Sequence, residues 1–133
     1  MGKPENSKDV FDMDETAIDL SALRRLLEMI GGDPEDMAEL LEDYREAAPD
    51  LAGQIRVAAE TGDLDALRIA AHTLKSNARD FGAMRLALLC EELEHACRDG
   101  QVGDPAGIAA AIAAEEEAAR TRLSTIDIRS VAT

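Results

Sequence analysis

One segment near the middle of the chain combines a nucleophilic ring with nearby positive charge. His72 is followed by Lys75 three residues later and by Arg79 seven residues later. On a helix, these spacings put both cations on the same side as the imidazole. A neutral imidazole is a nucleophile near pH 7, and a neighbouring cation can hold an anionic group through charge-assisted hydrogen bonds. Most lone surface histidines have no such role, so spacing alone leaves both interpretations open.

The helix that carries these residues is predicted from its apolar spacing. Its core stripe recurs at intervals of 3-4-3-4-3 and comprises Leu64, Leu67, Ala71, Leu74, Ala78 and Phe81. At 100° per residue the stripe covers about 80° of arc. His72 lies about 140° from the centre of the stripe, so it is expected to be exposed. Ile69 and the small Ser76 fall on the same exposed side.

Stop and start signals divide the chain into five predicted helices, at about residues 20–30, 34–60, 64–81, 83–99 and 105–123. Glycines end helices, and Asp33, Asp63 and Asp104 are positioned to cap the helices that follow. Pro49 lies inside the second helix, which we expect to continue through it as one bent helix. The expected fold is all-α, an antiparallel up-down four-helix bundle with a short additional N-terminal helix. The bundle is expected over residues 14–123, between flexible tails at 1–13 and 124–133.

The composition agrees with a helical fold and argues against several partners. Hydrophobic residues make up 46% of the 133 residues but aromatic residues only 2%, which argues against β-sandwiches. The net charge of −14 disfavours nucleic acid and anionic membranes as partners. With no signal-peptide pattern and no long apolar run, we expect a cytoplasmic protein. Cys90 and Cys97 are expected to be small buried or half-buried side chains.

A metal-dependent enzyme is a less favoured alternative. Glu92 and His95 have the Glu-x-x-His spacing of di-iron bundles, but those bundles need two such motifs and further inward carboxylates. His95 is expected to point away from an apolar stripe of Leu86, Leu89, Leu93 and Ala96. No metal site is therefore expected. The three consecutive glutamates at 115–117 are expected to form a solvated face.

Residues 71–83, AHTLKSNARDFGA, resemble the signature of histidine-containing phosphotransfer (HPt) domains, roughly A-H-x-L-K-G-x-x-x-x-x-G-A. The matching residues are His72, Leu74, Lys75, Gly82 and Ala83. Residues 18–21, 31–34, 48–49 and 62–63 are also similar to the family, so the resemblance covers about residues 14–123. Ser76 stands where many members have glycine, and its small side chain still allows close approach.

The resemblance implies a phosphocarrier in a multistep two-component phosphorelay, which is not itself an enzyme. His72 would accept a phosphoryl group from a receiver-domain aspartate of a hybrid sensor histidine kinase and pass it to the receiver domain of a response regulator. Lys75 would hold the phosphoryl oxygens. The chain would need no cofactor of its own, and Mg²⁺ would belong to the partner receiver.

The resemblance also implies a docking surface next to His72. The residues that would contact the receiver are Ile69, Ser76, Asn77 and Arg79. We expect a monomer, because the rest of the surface is acidic and self-repelling. The alternative is a helical-bundle interaction module that binds a receiver or a kinase without being phosphorylated.

Overall fold

Six helices and no strand make up residues 17–131, the part of the chain that the computed structural model describes. Their bounds are α1 Leu20–Met29, α2 Pro34–Thr61, α3 Leu64–Asp80, α4 Met84–Arg98, α5 Pro105–Leu123 and α6 Ile128–Val131. The first five are the predicted helices, each confirmed to within one residue at either end. The expected flexible segment at 1–13 and residues 132–133 of the expected C-terminal tail lie outside the described residues.

Aspartate side chains cap the starts of four helices. The Asp33, Asp63 and Asp104 carboxylates each accept a hydrogen bond of 2.9–3.0 Å from a backbone N–H in the first turn of α2, α3 and α5, as predicted. Asp19 caps α1 in the same way at 3.0 Å. Gly62 ends α2 with a left-handed φ of 72°, which glycine adopts without steric cost. Each cap contributes about 1 kcal/mol, so the helix boundaries are set largely by local sequence.

Helices α2 to α5 form the four-helix bundle. Helix α3 packs between α2 and α4, and α5 completes the arrangement by packing against both α4 and α2. Helix α1 contacts α2 and α3, and it begins beside the turn between α3 and α4, where Asp19 N–H donates to the Gly82 carbonyl at 2.9 Å. Helix α2 continues through Pro49, so the prediction of one helix is confirmed. Among the described residues, no helix has the length and hydropathy to cross a lipid bilayer.

The interior is filled mainly by aliphatic side chains. The predicted stripe of α3 is buried from Leu67 to Phe81, with Leu64 at its edge. The Phe81 ring packs on Tyr44 of α2, with ring centroids 4.7 Å apart. Cys90 and Cys97 are buried thiols, as expected. Burial raises the pKa of Cys90 to about 12, so this thiol is unreactive near neutral pH.

The chain after α5 packs against the bundle. Residues 124–131 were expected to belong to a flexible tail, yet they turn back and form α6, which contacts α1 and α2. Val131 is buried, and its carbonyl accepts a hydrogen bond from Arg24 Nε at 3.5 Å. Ile126 and Ile128 pack against the same core. Three apolar residues in so short a segment establish no periodicity, which is why the sequence did not indicate this element.

The glutamate run on α5 is only partly a solvated face. Glu116 is buried, with 3% of its surface exposed, so the expectation for residues 115–117 was wrong at this position. Arg120, one turn later, donates to both Glu116 oxygens at 2.8 and 3.4 Å. This bidentate ion pair allows a carboxylate to sit in the interior.

Candidate functional site

The site lies where α3 and α4 pack side by side. His72 is on the outer face of α3 with 57% of its side chain exposed, in agreement with the predicted geometry. Its Nδ1 lies 2.9 Å from Oε2 of Glu94, a residue of α4. Glu94 itself is buried, with 1% of its surface exposed. An exposed imidazole is thus anchored to a carboxylate in the protein interior.

Glu94 is the common partner of three side chains. Lys75 Nζ donates to Oε1 at 2.7 Å, and an Arg98 guanidinium nitrogen donates to Oε2 at 2.7 Å, the oxygen that His72 also contacts. The hydrogen bond from Lys75, reinforced by His72 and by the charge of Arg98, lowers the pKa of Glu94 to about 2 although burial opposes this. Glu94 is therefore ionised throughout the physiological pH range.

The ionised carboxylate selects the tautomer of His72. A carboxylate can only accept hydrogen bonds, so the contact at 2.9 Å requires a proton on Nδ1. In the neutral ring the lone pair then resides on Nε2, the nitrogen that is free of the Glu94 contact. The site therefore presents Nε2 as the nucleophilic atom and holds the ring in one orientation.

Lys75 lies deeper than its predicted role suggests. Only 13% of its side chain is exposed, and its ammonium group is directed at Glu94. An ammonium has three N–H donors, and the bond to Glu94 uses one of them. Lys75 therefore neutralises Glu94 and keeps two further N–H donors that this bond does not use. Arg98, whose side chain is about half exposed, brings a second cation to the same carboxylate.

The four predicted docking residues do not all lie together. Ile69 and Ser76 are exposed on the same side of α3 as His72. Arg79 is exposed as well, and its guanidinium donates to Glu91 of α4 at 3.3 Å. Asn77 is half-buried and lines a groove that also includes residues of α1 and α2. Asn77 thus lies on a different side of α3 from His72.

Sequence reasoning missed Glu94 and Arg98, and the reason lies in the register of α4. Of the expected stripe, Leu86 and Leu93 are buried, but Leu89 and Ala96 are only half-buried. The buried face of α4 also includes Ala87, Cys90 and Cys97, which the expected stripe left out. With Glu94 these recur at intervals of 3-4-3. A glutamate inside such a stripe was the available signal, because buried carboxylates need partners.

The Glu-x-x-His pair of Glu92 and His95 is not part of a metal site within the described residues. His95 is exposed on α4, away from Glu94 and the helix interface. Over residues 17–131, no group of three or more histidine, cysteine, aspartate or glutamate side chains is arranged to hold a metal ion.

Comparison with known proteins agrees with the resemblance found in the sequence. The family model described as the Hpt domain matches residues 39–122, which contain nearly all of α2 to α5 and the His72 site. The crystal structure of histidine-containing phosphotransfer protein B (HptB) from Pseudomonas aeruginosa PAO1 is similar, with a TM-score of 0.73 and 25% sequence identity. That similarity covers 81% of this chain and 91% of the other. A search among curated proteins gives no match. With well over half of its length matched by the family model, the chain belongs to the Hpt domain family of histidine phosphotransfer proteins.

Proposed function

We propose that His72 is the residue that carries the phosphoryl group, and that it does so on Nε2. Histidine phosphotransfer in a phosphorelay follows from the family, whose members work with receiver domains. The assignment to His72 rests on one observation, the hydrogen bond between its Nδ1 and the buried Glu94. Within the described residues, His95 is exposed and its side chain makes no hydrogen bond that would fix a tautomer.

The transfer step requires little from the carrier beyond position and charge. The Nε2 lone pair attacks the phosphorus of an aspartyl phosphate on the receiver. The Nε2–P bond forms as the P–O bond to the aspartate breaks, and the aspartate leaves as a carboxylate. The imidazole proton stays on Nδ1, so no proton has to move. Passing the group to a second receiver is the same step in reverse, with another aspartate as the nucleophile.

Glu94 favours the product of this step as well as the reactant. Attack through Nε2 leaves a positive charge on the ring while the proton remains on Nδ1. The Glu94 carboxylate, 2.9 Å from Nδ1, stabilises that charge through a charge-assisted hydrogen bond. Glu94 touches the reacting ring but not the phosphoryl group, so we assign it as a positioning residue.

We propose that Lys75 and Arg98 both compensate the charge of Glu94, and that Lys75 also compensates the charge of the phosphoryl group. Both neutralise Glu94 in the unmodified protein. Lys75 has donors left for the phosphoryl oxygens, which keeps the role predicted from the sequence. Positioning and electrostatic stabilisation supply most of the catalysis in phosphoryl transfer, so a carrier with these few groups suffices. Mg²⁺ is expected in the acidic pocket of the receiver.

The proposed docking surface surrounds His72 on α3. Ile69 offers an exposed apolar contact one turn before the histidine, and Ser76 offers a small side chain one turn after it. Arg79, half-exposed beside Glu91, suits an acidic rim on the receiver. Upstream we propose the receiver of a hybrid sensor histidine kinase and downstream the receiver of a response regulator, with this chain acting as a monomer.

Transfer from phosphorylated receiver domains tests the assignment of His72. The chain is incubated with Mg²⁺ and a panel of phosphorylated receivers, and acid-labile, base-stable phosphate on it is measured. The His72→Gln variant should take up none, while the control His95→Gln should match the unmodified chain, because His95 lies outside the site. Equal labelling of His72→Gln and the unmodified chain would refute the assignment.

A further inference from the structure

Arg98 brings a positive charge from α4 close to the ring of His72. One of its guanidinium nitrogens donates to Glu94 Oε2 at 2.7 Å, and His72 Nδ1 lies 2.9 Å from the same oxygen. The two nitrogens therefore cannot be farther apart than the sum of these distances. A phosphoryl group bonded to the ring would lie within reach of this flexible side chain.

The two cations bound to Glu94 differ in how freely they can move. Lys75 is largely buried and donates to Oε1, whereas Arg98 is about half exposed and shares Oε2 with His72. A guanidinium group has five N–H donors, and the hydrogen bond that Arg98 makes within residues 17–131 uses one of them. Lys75 can thus keep Glu94 ionised when Arg98 moves away.

Phosphorylation of His72 would change the competition for Oε2 of Glu94. In the unmodified chain a neutral ring and one guanidinium group share this oxygen. Attack through Nε2 makes the ring cationic, so two positively charged donors would then meet at one oxygen. They repel each other, and the charged Nδ1–H is a stronger donor than the neutral one. The phosphoryl group brings negative charge to the other side of the ring, and both effects draw Arg98 away from Glu94.

We propose that Arg98 is a phosphoryl-binding residue, which leaves Glu94 when His72 is phosphorylated and donates to the phosphoryl oxygens on Nε2. This inference rests on the proposed phosphorylation of His72. A planar guanidinium group can donate two parallel hydrogen bonds to phosphoryl oxygens, an arrangement that a lysine ammonium does not offer. Arg98 keeps all its protons. When the phosphoryl group passes to a second receiver, the ring becomes neutral and Arg98 returns to Glu94.

The ionisation of the phosphoryl group reports whether Arg98 binds it. The chain is phosphorylated with phosphoramidate, and the ³¹P shift of phosphorylated His72 is followed as a function of pH. A bound guanidinium favours the doubly charged phosphoryl group, so Arg98→Met should raise the midpoint of this titration by about 0.5 pH unit. Arg98→Lys should restore part of the difference. A midpoint that Arg98→Met leaves unchanged would overturn the proposal.

A second measurement needs no substitution. The ¹⁵N–¹H signal of Arg98 Nε is recorded in the native chain before and after phosphorylation, and it should shift because the guanidinium changes its partner from a carboxylate to a phosphoryl group. An unchanged signal would show that Arg98 stays on Glu94, and the proposal would be wrong.

A neighbouring arginine provides the matched control for a general effect of positive charge. Arg68 lies on α3 one turn before His72 and pairs with the exposed Asp65 at 4.0 Å. Arg68→Met should raise the ³¹P midpoint by less than half as much as Arg98→Met. Equal shifts in the two variants would overturn the proposal, because they would show that nearby charge is sufficient without a contact.

A double variant separates a direct contact from an effect through Glu94. In a Glu94→Gln background, Arg98→Met should still raise the midpoint, because binding of the phosphoryl group does not require the carboxylate. Loss of the effect in that background would make Arg98 a positioning residue only. Absence of phosphate from His72 in every chain would refute the proposed function as well, whereas phosphate on His72 with a midpoint insensitive to Arg98→Met overturns this inference alone.

Discussion

At residue 94 a carboxylate occupies a position that the packing of α4 would otherwise fill with an apolar side chain. Cys90 lies one turn before it and Cys97 one turn after it, and both are buried. Hydrogen bonds from Lys75 and Arg98 compensate the cost of burying the charge. The result at the surface is a histidine ring with one defined tautomer. This is how a core residue sets the chemistry of an exposed one.

Replacing Glu94 with glutamine should slow phosphotransfer about tenfold without unfolding the bundle. Glutamine keeps the shape but removes the charge that stabilises the phosphorylated ring, and a tenfold effect corresponds to about 1.4 kcal/mol. The rate is measured with a phosphorylated receiver, beside the exposed control Glu92→Gln. Imidazole ¹⁵N shifts should also show the Nε2–H tautomer appearing in Glu94→Gln. An unchanged tautomer together with an unchanged rate would show that Glu94 has no positioning role.

The ionisation of Glu94 predicts a pH dependence of stability. Its pKa is lowered from the ordinary 4.5 to about 2, chiefly by the Lys75 hydrogen bond. A lowered folded-state pKa gives a stabilisation that is complete above about pH 4.5 and is lost as the pH falls toward 2. The free energy of unfolding of the native chain should therefore exceed that of Glu94→Gln at pH 6, and the gap should narrow at pH 4 and pH 3. Urea unfolding measures it, and a gap that does not change with pH would contradict the assignment.

At the scale of elements, the turn between α3 and α4 fixes the N-terminal helix. Gly82 has a φ of +77°, and a Cβ built there would lie 2.5 Å from the Asp19 carbonyl oxygen. Asp19, which caps α1, also donates its backbone N–H to the Gly82 carbonyl. A side chain at Gly82 would have to displace the start of α1 from the bundle.

Gly82→Ala should destabilise the chain by about 1–3 kcal/mol, because it combines an unfavourable backbone angle with a steric clash. Gly53 offers a matched control, since it lies inside α2 and a Cβ added there would meet nothing within 4 Å. Gly53→Ala should stabilise the helix by up to about 1 kcal/mol. Thermal unfolding of the two variants gives the comparison. Equal melting temperatures for Gly82→Ala and the native chain would show that this turn tolerates a side chain.

The bounds of the helices could be predicted from the sequence, but the contacts between the helices could not. Capping aspartates, glycine stops and apolar spacing are local signals, so the ends of α1 to α5 followed from them. The contacts of His72 depend on how α4 is rotated against α3, which is a tertiary property. The sequence analysis placed Leu89 and Ala96 in the core and therefore mispredicted the rotation of α4. For the same reason it did not identify Glu94 as a buried residue. The exposure of His72 was predictable because it follows from the register of α3 alone, whereas its role was implied by the resemblance of residues 71–83 to the HPt signature.

At the scale of the whole molecule, the chain is strongly acidic, yet three cationic side chains lie near His72. The net charge of −14 disfavours nonspecific contact with nucleic acid and anionic membranes. The cations around His72 are instead held by neighbouring carboxylates: Lys75 and Arg98 by Glu94, and Arg79 by Glu91. The three cations exceed the two carboxylates by one charge, so the site keeps a net charge of about +1 before a partner docks. Recognition then depends on exposed apolar contacts as well as on charge.

Ile69→Ala should weaken docking of a receiver while leaving the chemistry of His72 intact. Loss of one exposed apolar side chain from an interface should raise the KM for a phosphorylated receiver about five- to tenfold. Phosphorylation by phosphoramidate, a small donor that needs no docking surface, should be unchanged. Val57→Ala is the matched control, because Val57 is a similarly exposed apolar residue on α2, a helix that does not carry His72. If Val57→Ala raises KM as much as Ile69→Ala, the docking surface is misplaced.

Identifying the ring nitrogen that carries the phosphoryl group tests most directly whether Glu94 directs phosphorylation to Nε2 of His72. Correlation of ³¹P with ring ¹⁵N signals in the chain phosphorylated by a receiver identifies the bonded atom. The hydrogen bond from Nδ1 to Glu94 predicts phosphorus on Nε2 of His72, with Nδ1 still protonated. Phosphorus on Nδ1, or on any residue other than His72, would contradict the account.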